Sequence, residues 1–257
     1  MRINLNADLG EGFGPWTMGD DAAMLGIVAS ANIACGGHAG DPDVMRRTVR
    51  EALRHGVSLG AHPSYPDLAG FGRRPMALSA TELENQVAAQ IGALAGIASL
   101  EGGRLTHVKP HGALNNLACT DGAVAEAICK AMAAVDRELI LLAPAASQLV
   151  QAGRALGLSV VEEIFADRAY LPDGQLVPRS RADAHIHGAD ACATHVARML
   201  EARALIAVDG TRITTAIGSI CVHGDGADAV PIAAGLRRFL LAAGHEIVPL
   251  PRLAHNP

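Results

Sequence analysis

Residues 26–62, GIVASANIACGGHAGDPDVMRRTVREALRHGVSLGAH, have the pattern of a strand, a loop, a helix and a second strand. Apolar runs at 26–34 and 57–61 predict the two strands. Between them, Asp41 is followed by a proline, which is typical of an N-cap and first helical turn, and Gly56 is typical of a helix end. The stretch therefore predicts neighbouring parallel strands joined by a helix.

The same alternation continues along the 257 residues. Short apolar runs predict strands at 3–7, 26–34, 57–61, 104–108, 139–143, 159–164 and 216–222, with a weaker eighth at 246–249. Start and stop signals predict helices at 41–55, 79–100, 121–135, 145–156, 189–205 and 230–243. Seven or eight such units favour an α/β fold closed into a (β/α) barrel, with an open doubly wound sheet as the alternative. We expect residues 1–257 to form a single (β/α)-barrel domain.

Composition limits the classes of function. Half of the residues are apolar, the net charge is −5 and no basic run is present, so nucleic acid is not an expected partner. The N-terminus reaches Asn4 and Asp8 before any apolar stretch of signal length, and no run is long enough for a membrane span. The five cysteines lack CxxC spacing and are typical of free thiols in a reducing compartment. We expect a cytoplasmic protein with no membrane partner.

Nearly every apolar run ends in titratable side chains. Because the carboxyl ends of barrel strands meet at one mouth, these residues predict a single site. The residues, in chain order, are Asp8, Glu11, His38, Asp41, His62, Lys109, His111, Glu163, Asp167, His223 and Asp225. We interpret Asp41 as a structural helix cap rather than as part of the site.

The segment 107–116, HVKPHGALNN, carries the sharpest signal for a site. Lys109 and His111 bracket a proline at a strand end, and the fixed proline angle directs both side chains toward one mouth. Burying an unpaired ammonium is costly, so Lys109 is poorly explained as a core residue. His38, in a glycine-rich loop, likewise has little apolar packing to account for it.

The segment 60–74, GAHPSYPDLAGFGRR, places His62 directly after a strand. Arg73 and Arg74 at its end suit bidentate binding of a carboxylate or phosphate, or form a solvated surface pair. Tyr65, one of two tyrosines in the chain, indicates a residue that lines a pocket.

The segment 162–181, EEIFADRAYLPDGQLVPRSR, offers Glu163, Asp167 and Arg168 within six positions. Glu163 suits a base and Arg168 an anchor for an acidic group, and the alternative is a surface salt-bridge network. The later segment ICVHGDGAD repeats the pattern of strand, histidine, glycine and acid.

Two chemistries suit histidines and acids at one barrel mouth. One is metal-dependent hydrolysis, in which Asp8, His38 and His62 would be the ligands, although no HExxH or CxxC element supports it. The other is general acid–base attack on an acyl or amide carbon. There a carboxylate activates water, a histidine protonates the leaving nitrogen, and Lys or Arg stabilises negative charge.

Six blocks, DLGEGFG, ACGGHAGDP, GAHPSYPDLAGFGRR, VKPHGAL, EIFADRAY and SICVHGDG, run in register from residue 3 to residue 226 and resemble signature blocks of the LamB/YcsF family. The resemblance implies a seven-stranded, TIM-like (β/α) barrel similar to those of polysaccharide deacetylases. It also implies a role in 5-oxoprolinase, which opens the lactam 5-oxo-L-proline to L-glutamate with ATP hydrolysis, in a complex with subunits B and C. The sequence departs from the family pattern at Gly37, where a phenylalanine is common, and at Asn115, where a tyrosine is usual.

This family role predicts a division of labour and a set of residue roles. A γ-lactam is a stable amide, so its hydrolysis must be coupled to ATP, the co-substrate of the complex. The chain has no GxxxxGKS or GxxxxGKT loop, so we expect activation to depend on the partner subunits. The expected roles are water activation by Asp8 or Glu11, proton donation by His38, His62 or His111, charge stabilisation by Lys109, and carboxylate binding by Arg73 or Arg168.

Other expectations remain open. Further substrate-binding candidates are Tyr65, Glu163, Asp167, His223 and Asp225. One rival interpretation is a deacetylase or amidohydrolase that uses a divalent metal without ATP. Another is a non-catalytic, substrate-binding subunit of the complex.

Overall fold

A closed barrel of parallel strands forms the centre of the protein. A computed structural model describes residues 1–224, 226 and 228–254. Its strands are β1 (Arg2–Leu9), β2 (Ser30–Ala34), β3 (Ser58–His62), β4 (Leu105–Val108), β5 (Ile140–Pro144), β6 (Val160–Phe165), β7 (Ala204–Ile206), β8 (Arg212–Thr214), β9 (Ile217–Val222) and β10 (Glu246–Ile247). Strands β1 to β6 pair in chain order, and β9 pairs with both β6 and β1. The predicted seven-stranded barrel is confirmed, and the open sheet is excluded.

The remaining strands lie outside the barrel closure. Strands β7 and β8 form a separate antiparallel pair. The weak eighth strand predicted at 246–249 is only the two-residue β10, which pairs with the start of β1. It is short because β2 takes over the same edge of β1 from Asn6 onward.

Helices surround the barrel. They are α1 (Asp21–Leu25), α2 (Pro42–Arg54), α3 (Ala80–Leu100), α4 (Gly112–Thr120), α5 (Gly122–Val135), α6 (Gln148–Ala155), α7 (Ala189–Ala202), α8 (Ala229–Ala242) and α9 (Pro251–Ala254). Asp41 caps α2 by accepting hydrogen bonds from the backbone of Asp43 and Val44, as predicted. Among the described residues, no helix has the length and apolar character needed to cross a bilayer.

Helix α4 is absent from the predicted elements, as is the five-residue α1. The residue before α4 is His111, whose side chain makes no capping hydrogen bond. It turns instead toward the barrel mouth, where it meets His62. The usual start signal of a helix is therefore missing, because the side chain at the cap position contacts His62 instead of the helix backbone.

Polar side chains fill the N-terminal end of the barrel interior. We call Asn4, Ser30, Ser58 and Ser219 the N-terminal network. Asn4 Nδ2 donates to Ser30 Oγ at 2.8 Å, while Ser219 Oγ donates to Asn4 Oδ1 at 2.7 Å. Ser30 and Ser58 share a hydrogen bond of 2.7 Å. These contacts join strands β1, β2, β3 and β9 inside the barrel.

A second polar layer connects this network to the barrel mouth. Asn6 Nδ2 donates to Ser219 Oγ at 2.8 Å, and Asn32 Nδ2 donates to Asn6 Oδ1 at 2.7 Å. Asn32 Nδ2 also donates to Asp8 Oδ1 at 2.9 Å. Because side chains along a strand alternate between faces, Asn6 and Asp8 project inward from β1 in successive layers.

Candidate functional site

A cavity of about 390 Å³ opens at the C-terminal ends of the barrel strands. Its volume lies within the usual range for a small-molecule site. The lining includes predicted site residues at or just after the C-terminal ends of β1, β3 and β4, namely Asp8, Glu11, His62, Arg73, Lys109 and His111. Arg168 and His223, which follow β6 and β9, line the same cavity. The strand ends thus bring together residues that are far apart in the chain.

Lys109 and Asp8 form a buried ion pair in this cavity. Lys109 Nζ donates to Asp8 Oδ1 at 2.9 Å and to Cys221 Sγ at 3.0 Å. Burial by itself lowers the pKa of Lys109, but Asp8, Cys221 and Glu163 outweigh it and raise that pKa well above its ordinary value. Burial likewise raises the pKa of Asp8, but His62 and Lys109 outweigh it and hold that pKa well below its ordinary value. Both groups are therefore charged at neutral pH.

Glu163 supports this pair from β6. One carboxylate oxygen accepts a hydrogen bond from Asn6 at 3.2 Å, and the other lies 3.4 Å from Lys109 Nζ. Burial raises the pKa of Glu163, and Lys109 offsets only part of that effect. Glu163 is fully buried and is absent from the cavity lining, so its contact with a substrate would be through Lys109.

Three histidines and a glutamate pack together beside the pair. We call Glu11, His38, His62 and His111 the Glu-His cluster. Its four potential ligand atoms lie within 4.8 Å of one another, and all four residues are buried. His38 and His111 stack with ring centroids 3.6 Å apart. Imidazole nitrogens and a carboxylate are suitable ligands for a transition metal, so the cluster is compatible with a bound metal.

Hydrogen bonds fix the orientation of the cluster. His62 Nδ1 lies 2.6 Å from the carbonyl oxygen of Lys109, and His111 Nε2 lies 2.9 Å from that of Phe71. His38 Nε2 lies 3.1 Å from Glu11 Oε1. Burial, with further contributions from the neighbouring histidines, lowers the pKa of His38 and of His111 well below its ordinary value. These two rings are therefore neutral at pH 7.

The sequence predicts Asp8, His38 and His62 as ligands if a metal is bound. In the structure, the atoms that converge belong to Glu11, His38, His62 and His111. Asp8 pairs with Lys109, and its Oδ2 lies 3.4 Å from His62 Nε2 at the edge of this group. Glu11 follows Asp8 by only three positions, so the sequence alone does not distinguish the two acids.

Residues that follow β6 and β9 complete the cavity. Asp167 accepts a hydrogen bond from His223 Nδ1 at 2.8 Å. Burial raises the pKa of Asp167, but His223 outweighs it and lowers that pKa below its ordinary value. Arg168 is held by the carbonyl oxygens of Val177 and Ala184, at 2.7 and 3.3 Å, and burial lowers its pKa to about 10.

Among the described residues, the predicted residues absent from the cavity lining are His38, Tyr65, Arg74, Glu163 and Asp167. Tyr65 is buried in the hydrophobic core, because the loop after β3 folds inward at that position. Arg74 pairs with Asp67, so the two adjacent arginines have different surroundings. Asp225 lies outside the described residues.

Arg179, Phe165 and Asn116 also line the cavity, although they are not among the predicted site residues. Arg179 lies in the same 162–181 segment as Arg168. Asn115, the departure from the family pattern, lines the cavity too, and its buried Oδ1 has no hydrogen-bond partner within the described chain. The repeated arginines of VPRSR were a signal for Arg179.

The departure from the family pattern at Gly37 has a local structural explanation. A Cβ at this position would lie 2.7 Å from Ser64 Oγ and would overlap the side-chain amide of Gln90. Gln90 itself accepts a hydrogen bond from Ser64 N at 2.9 Å and donates to Ser64 O at 2.8 Å. The Gln90 amide therefore fills the space that a larger residue at 37 would need.

Comparison with known proteins identifies the family. The LamB/YcsF family model matches residues 3–255. The chain belongs to the LamB/YcsF family. It is 58% identical over 253 residues to the 5-oxoprolinase A subunit of Azoarcus sp. (strain BH72), covering 98% of this chain and 99% of the relative. It also matches the crystal structure of the lactam utilization protein from Thermus thermophilus, with TM-score 0.91, 42% identity, and coverage of 97% and 100%. The resemblance found in the sequence is confirmed.

A more distant likeness concerns the fold alone. The catalytic domain of a peptidoglycan N-acetylglucosamine deacetylase from Eubacterium rectale ATCC 33656 matches with TM-score 0.50 and 12% identity. The match covers 96% of this LamB/YcsF chain and 87% of the deacetylase domain. The expected similarity to polysaccharide deacetylase barrels is confirmed.

Proposed function

We propose that this chain is the A subunit of an ATP-dependent 5-oxoprolinase, and that it opens 5-oxo-L-proline to L-glutamate in a cytoplasmic complex with subunits B and C. The name of the Azoarcus relative, 58% identical over nearly the whole chain, supports this proposal. The observation that carries it is the charged Lys109–Asp8 pair, buried at the cavity. A carboxylate and an ammonium held this way suit hydrolysis of an amide.

The ring opening assigns a role to each side of the pair. Asp8 accepts a proton from water, whose oxygen attacks the lactam carbonyl carbon. Lys109 Nζ donates to the oxygen that gains negative charge. The bond from carbon to nitrogen then breaks, and the departing nitrogen takes up the proton that Asp8 accepted from water. The rings of His38 and His111, two of the proton donors expected from the sequence, have lowered pKa values and are neutral, so they do not supply this proton. We assign water activation to Asp8 rather than Glu11, because Asp8 is paired with Lys109 and the base then lies beside the donor to the developing oxyanion.

Arginines of the cavity bind the substrate's negative charge. Arg73, Arg168 and Arg179 all line the cavity, and guanidinium groups bind carboxylates and phosphates in bidentate fashion. Arg168 is buried and fixed by two backbone carbonyls, so its position is preorganised. The lactam carboxylate is a suitable ligand for this arginine set. So is the phosphoryl group that ATP transfers to the lactam oxygen during activation, and a second water removes that group as inorganic phosphate after ring opening.

The division of labour places ATP-dependent activation on subunits B and C. Glutamate release from 5-oxoproline is measured for the chain alone, for subunits B and C alone, and for the complete mixture, each with and without ATP. We expect turnover only in the complete mixture with ATP. Full-rate ATP hydrolysis by the isolated chain in response to the lactam would contradict this division.

A second candidate function is metal-dependent hydrolysis of an amide without ATP. The Glu-His cluster favours it, since its four buried residues are compatible with a metal. Turnover of an amide by the isolated chain, without ATP and sensitive to a chelator, would establish this function in place of the first.

A further inference from the structure

We propose that Glu11, His62 and His111 bind a divalent transition metal of the zinc class, while His38 holds the glutamate in place through a hydrogen bond. This inference concerns the cluster itself and does not depend on which amide is the substrate. It can therefore fail while the proposed oxoprolinase function holds, and the reverse is also true.

The argument begins with where the ring hydrogens must be. His62 Nδ1 and His111 Nε2 each lie within 2.9 Å of a backbone carbonyl oxygen. A carbonyl only accepts hydrogen bonds, so each of these nitrogens carries its hydrogen. In neutral rings, the lone pairs are then on His62 Nε2 and His111 Nδ1. Hydrogen-bonding the distal nitrogen to a carbonyl is how proteins commonly orient metal-binding histidines.

The two lone-pair nitrogens face each other. His62 Nε2 and His111 Nδ1 are 3.0 Å apart, a separation that two unprotonated nitrogens cannot hold favourably. Something positive must lie between them, either a shared proton or a metal ion. Two carboxylates lie beside them, with Glu11 Oε1 3.5 Å from His111 Nδ1 and Asp8 Oδ2 3.4 Å from His62 Nε2. Asp8 is already paired with Lys109, so Glu11 is the carboxylate available to a metal ion. The convergence of three such donors favours a metal ion, because a shared proton needs only two partners.

The spacing of these donors fits a tetrahedral metal. Bonds of about 2.0–2.1 Å around such a centre place neighbouring ligand atoms roughly 3.3 Å apart. The two measured separations, 3.0 Å between the histidines and 3.5 Å from His111 to Glu11, bracket this value. Two imidazoles and one carboxylate leave the fourth position for water or substrate, as in catalytic zinc sites. His62, His111 and Glu11 all line the cavity, so that position is accessible to a ligand.

His38 has a different role from the other two histidines. Its Nδ1 is buried without a hydrogen-bond partner within the described chain, while its Nε2 lies 3.1 Å from Glu11 Oε1. As a metal ligand through Nε2, it would carry its hydrogen on Nδ1, where no acceptor is present among the described residues. With the hydrogen on Nε2, it donates to Glu11 and only a lone pair lacks a partner. The stacking of His38 on His111 holds the ring in this position.

The donor chemistry selects the kind of ion. Magnesium and calcium prefer oxygen ligands, whereas two imidazoles with one carboxylate suit zinc and neighbouring transition metals. Bound at this position, such an ion would supply Lewis acidity and a water whose pKa is lowered to about 7.

The test is zinc binding by the full chain. The purified chain is freed of metal, titrated with ZnCl₂ in a calorimeter, and analysed for metal content by mass spectrometry after gel filtration. We expect one zinc per chain. Glu11→Gln, His62→Gln and His111→Gln should each weaken binding by more than the roughly 10- to 100-fold that loss of a supporting hydrogen bond costs. His38→Gln should weaken it only within that range.

The matched control is His223→Gln, which removes a histidine of the same cavity that is paired with Asp167. Its zinc affinity should equal that of the wild type. Circular dichroism and melting temperature report whether each variant is folded, and Glu11→Gln, which preserves side-chain size, tests the site if a histidine variant unfolds. Absence of bound zinc in the wild type, or equal affinity in the folded His62 or Glu11 variant, would overturn the proposal.

Discussion

The two ends of the barrel interior are both polar, but their buried polar groups have different kinds of partners. At the N-terminal end, Asn4 and Ser219 are neutral and hydrogen-bond to each other and to neighbouring strands. At the C-terminal end, Lys109 lies among negative groups, and His62 Nε2 lies 3.0 Å from His111 Nδ1. The polar groups of the N-terminal end are paired with one another, whereas those of the C-terminal end line an open cavity.

The difference shows that burial of a polar group has two separate explanations. A buried amide or hydroxyl with all its partners contributes to stability and to a single strand register. A buried charge or an unpartnered donor set lowers stability and persists where function requires it. Variants at the two ends should therefore divide between losses of stability and losses of activity.

The largest effect is expected at Lys109. Lys109→Gln should lower kcat of the complete, ATP-supplied complex by roughly 10²–10³-fold, the usual loss when a donor to a developing oxyanion is removed. The chain has one other lysine, Lys130, which is exposed and paired with Glu126, so Lys130→Gln is the matched control. Near-normal turnover of Lys109→Gln would remove Lys109 from the mechanism.

The loss of stability in the Lys109 variant should be separable from its loss of activity. Removing Lys109 leaves Asp8 buried without its cation, which destabilises the fold. The double variant Asp8→Asn with Lys109→Gln should recover much of the lost free energy of unfolding, measured in urea, but none of the activity. Recovery of activity along with stability would show that the pair is structural.

The next largest effect is expected on KM, and it should differ between two adjacent arginines. Arg73→Gln should raise KM for the lactam roughly 10- to 150-fold, since a hydrogen bond to a charged group contributes about 1.5–3 kcal/mol. Arg74→Gln should leave KM unchanged, because Arg74 pairs with Asp67 and is absent from the cavity lining. Steady-state kinetics of the complete complex measure both values. Equal KM values in the two variants would contradict substrate binding by Arg73.

At the N-terminal end, Asn4→Ala should reduce stability without reducing catalysis. It removes the Asn4 donor from the carbonyl of Val248 and the Asn4 acceptor from the hydroxyl of Ser219, and an unsatisfied buried group costs about 1–3 kcal/mol. Urea denaturation measures the loss, and kcat of the complex at a temperature where the variant is folded should match the wild type. A large fall in kcat with unchanged stability would mean that the two ends are not functionally separate.

The smallest expected effect is on the stability of the protein at acid pH, through an ion-pair cluster outside the barrel. Glu101 follows α3, so it lies near the N-terminal end, where hydrogen bonds from Arg50 and Arg46 lower its pKa to about 2. The pKa of a glutamate in an unfolded chain is about 4.3. The contribution of Glu101 to stability is therefore present above that pH and is lost as the pH falls toward 2. Glu101→Gln should flatten the fall of melting temperature between those values. An unchanged acid profile would show that the ion pairs contribute nothing measurable.

Much of the fold could be predicted because the hydrophobic pattern repeats. Each barrel strand coincides with a predicted apolar run, and α2 and α3 begin at their predicted caps. Helix α4 was missed because His111, at its cap position, belongs to the site. The N-terminal network was missed as well, although Asn4 and Asn6 share the two-residue period of Asp8 along β1 and therefore its inward direction.

The sequence predicted which residues lie at the candidate site better than it predicted which of them contact one another. Strand ends predicted that Lys109, Asp8 and the histidines would meet, and the structure brings them together. Sequence alone did not decide which carboxylate joins the lysine and which joins the histidines. That choice depends on the backbone path after β1, which is set by packing across the whole barrel rather than by local residues.

Closure of the barrel by β9 has a consequence for biosynthesis. Asn6 on the first strand finds its partner Ser219 only 213 positions later, and Lys109 contacts Cys221 on the same closing strand. A nascent chain that has emerged through β6 therefore has most of the cavity residues but cannot enclose them. Ordering such distant segments requires closing a long loop, which is entropically costly until the closing strand arrives. The enclosed cavity can thus form only after β9 has been synthesised.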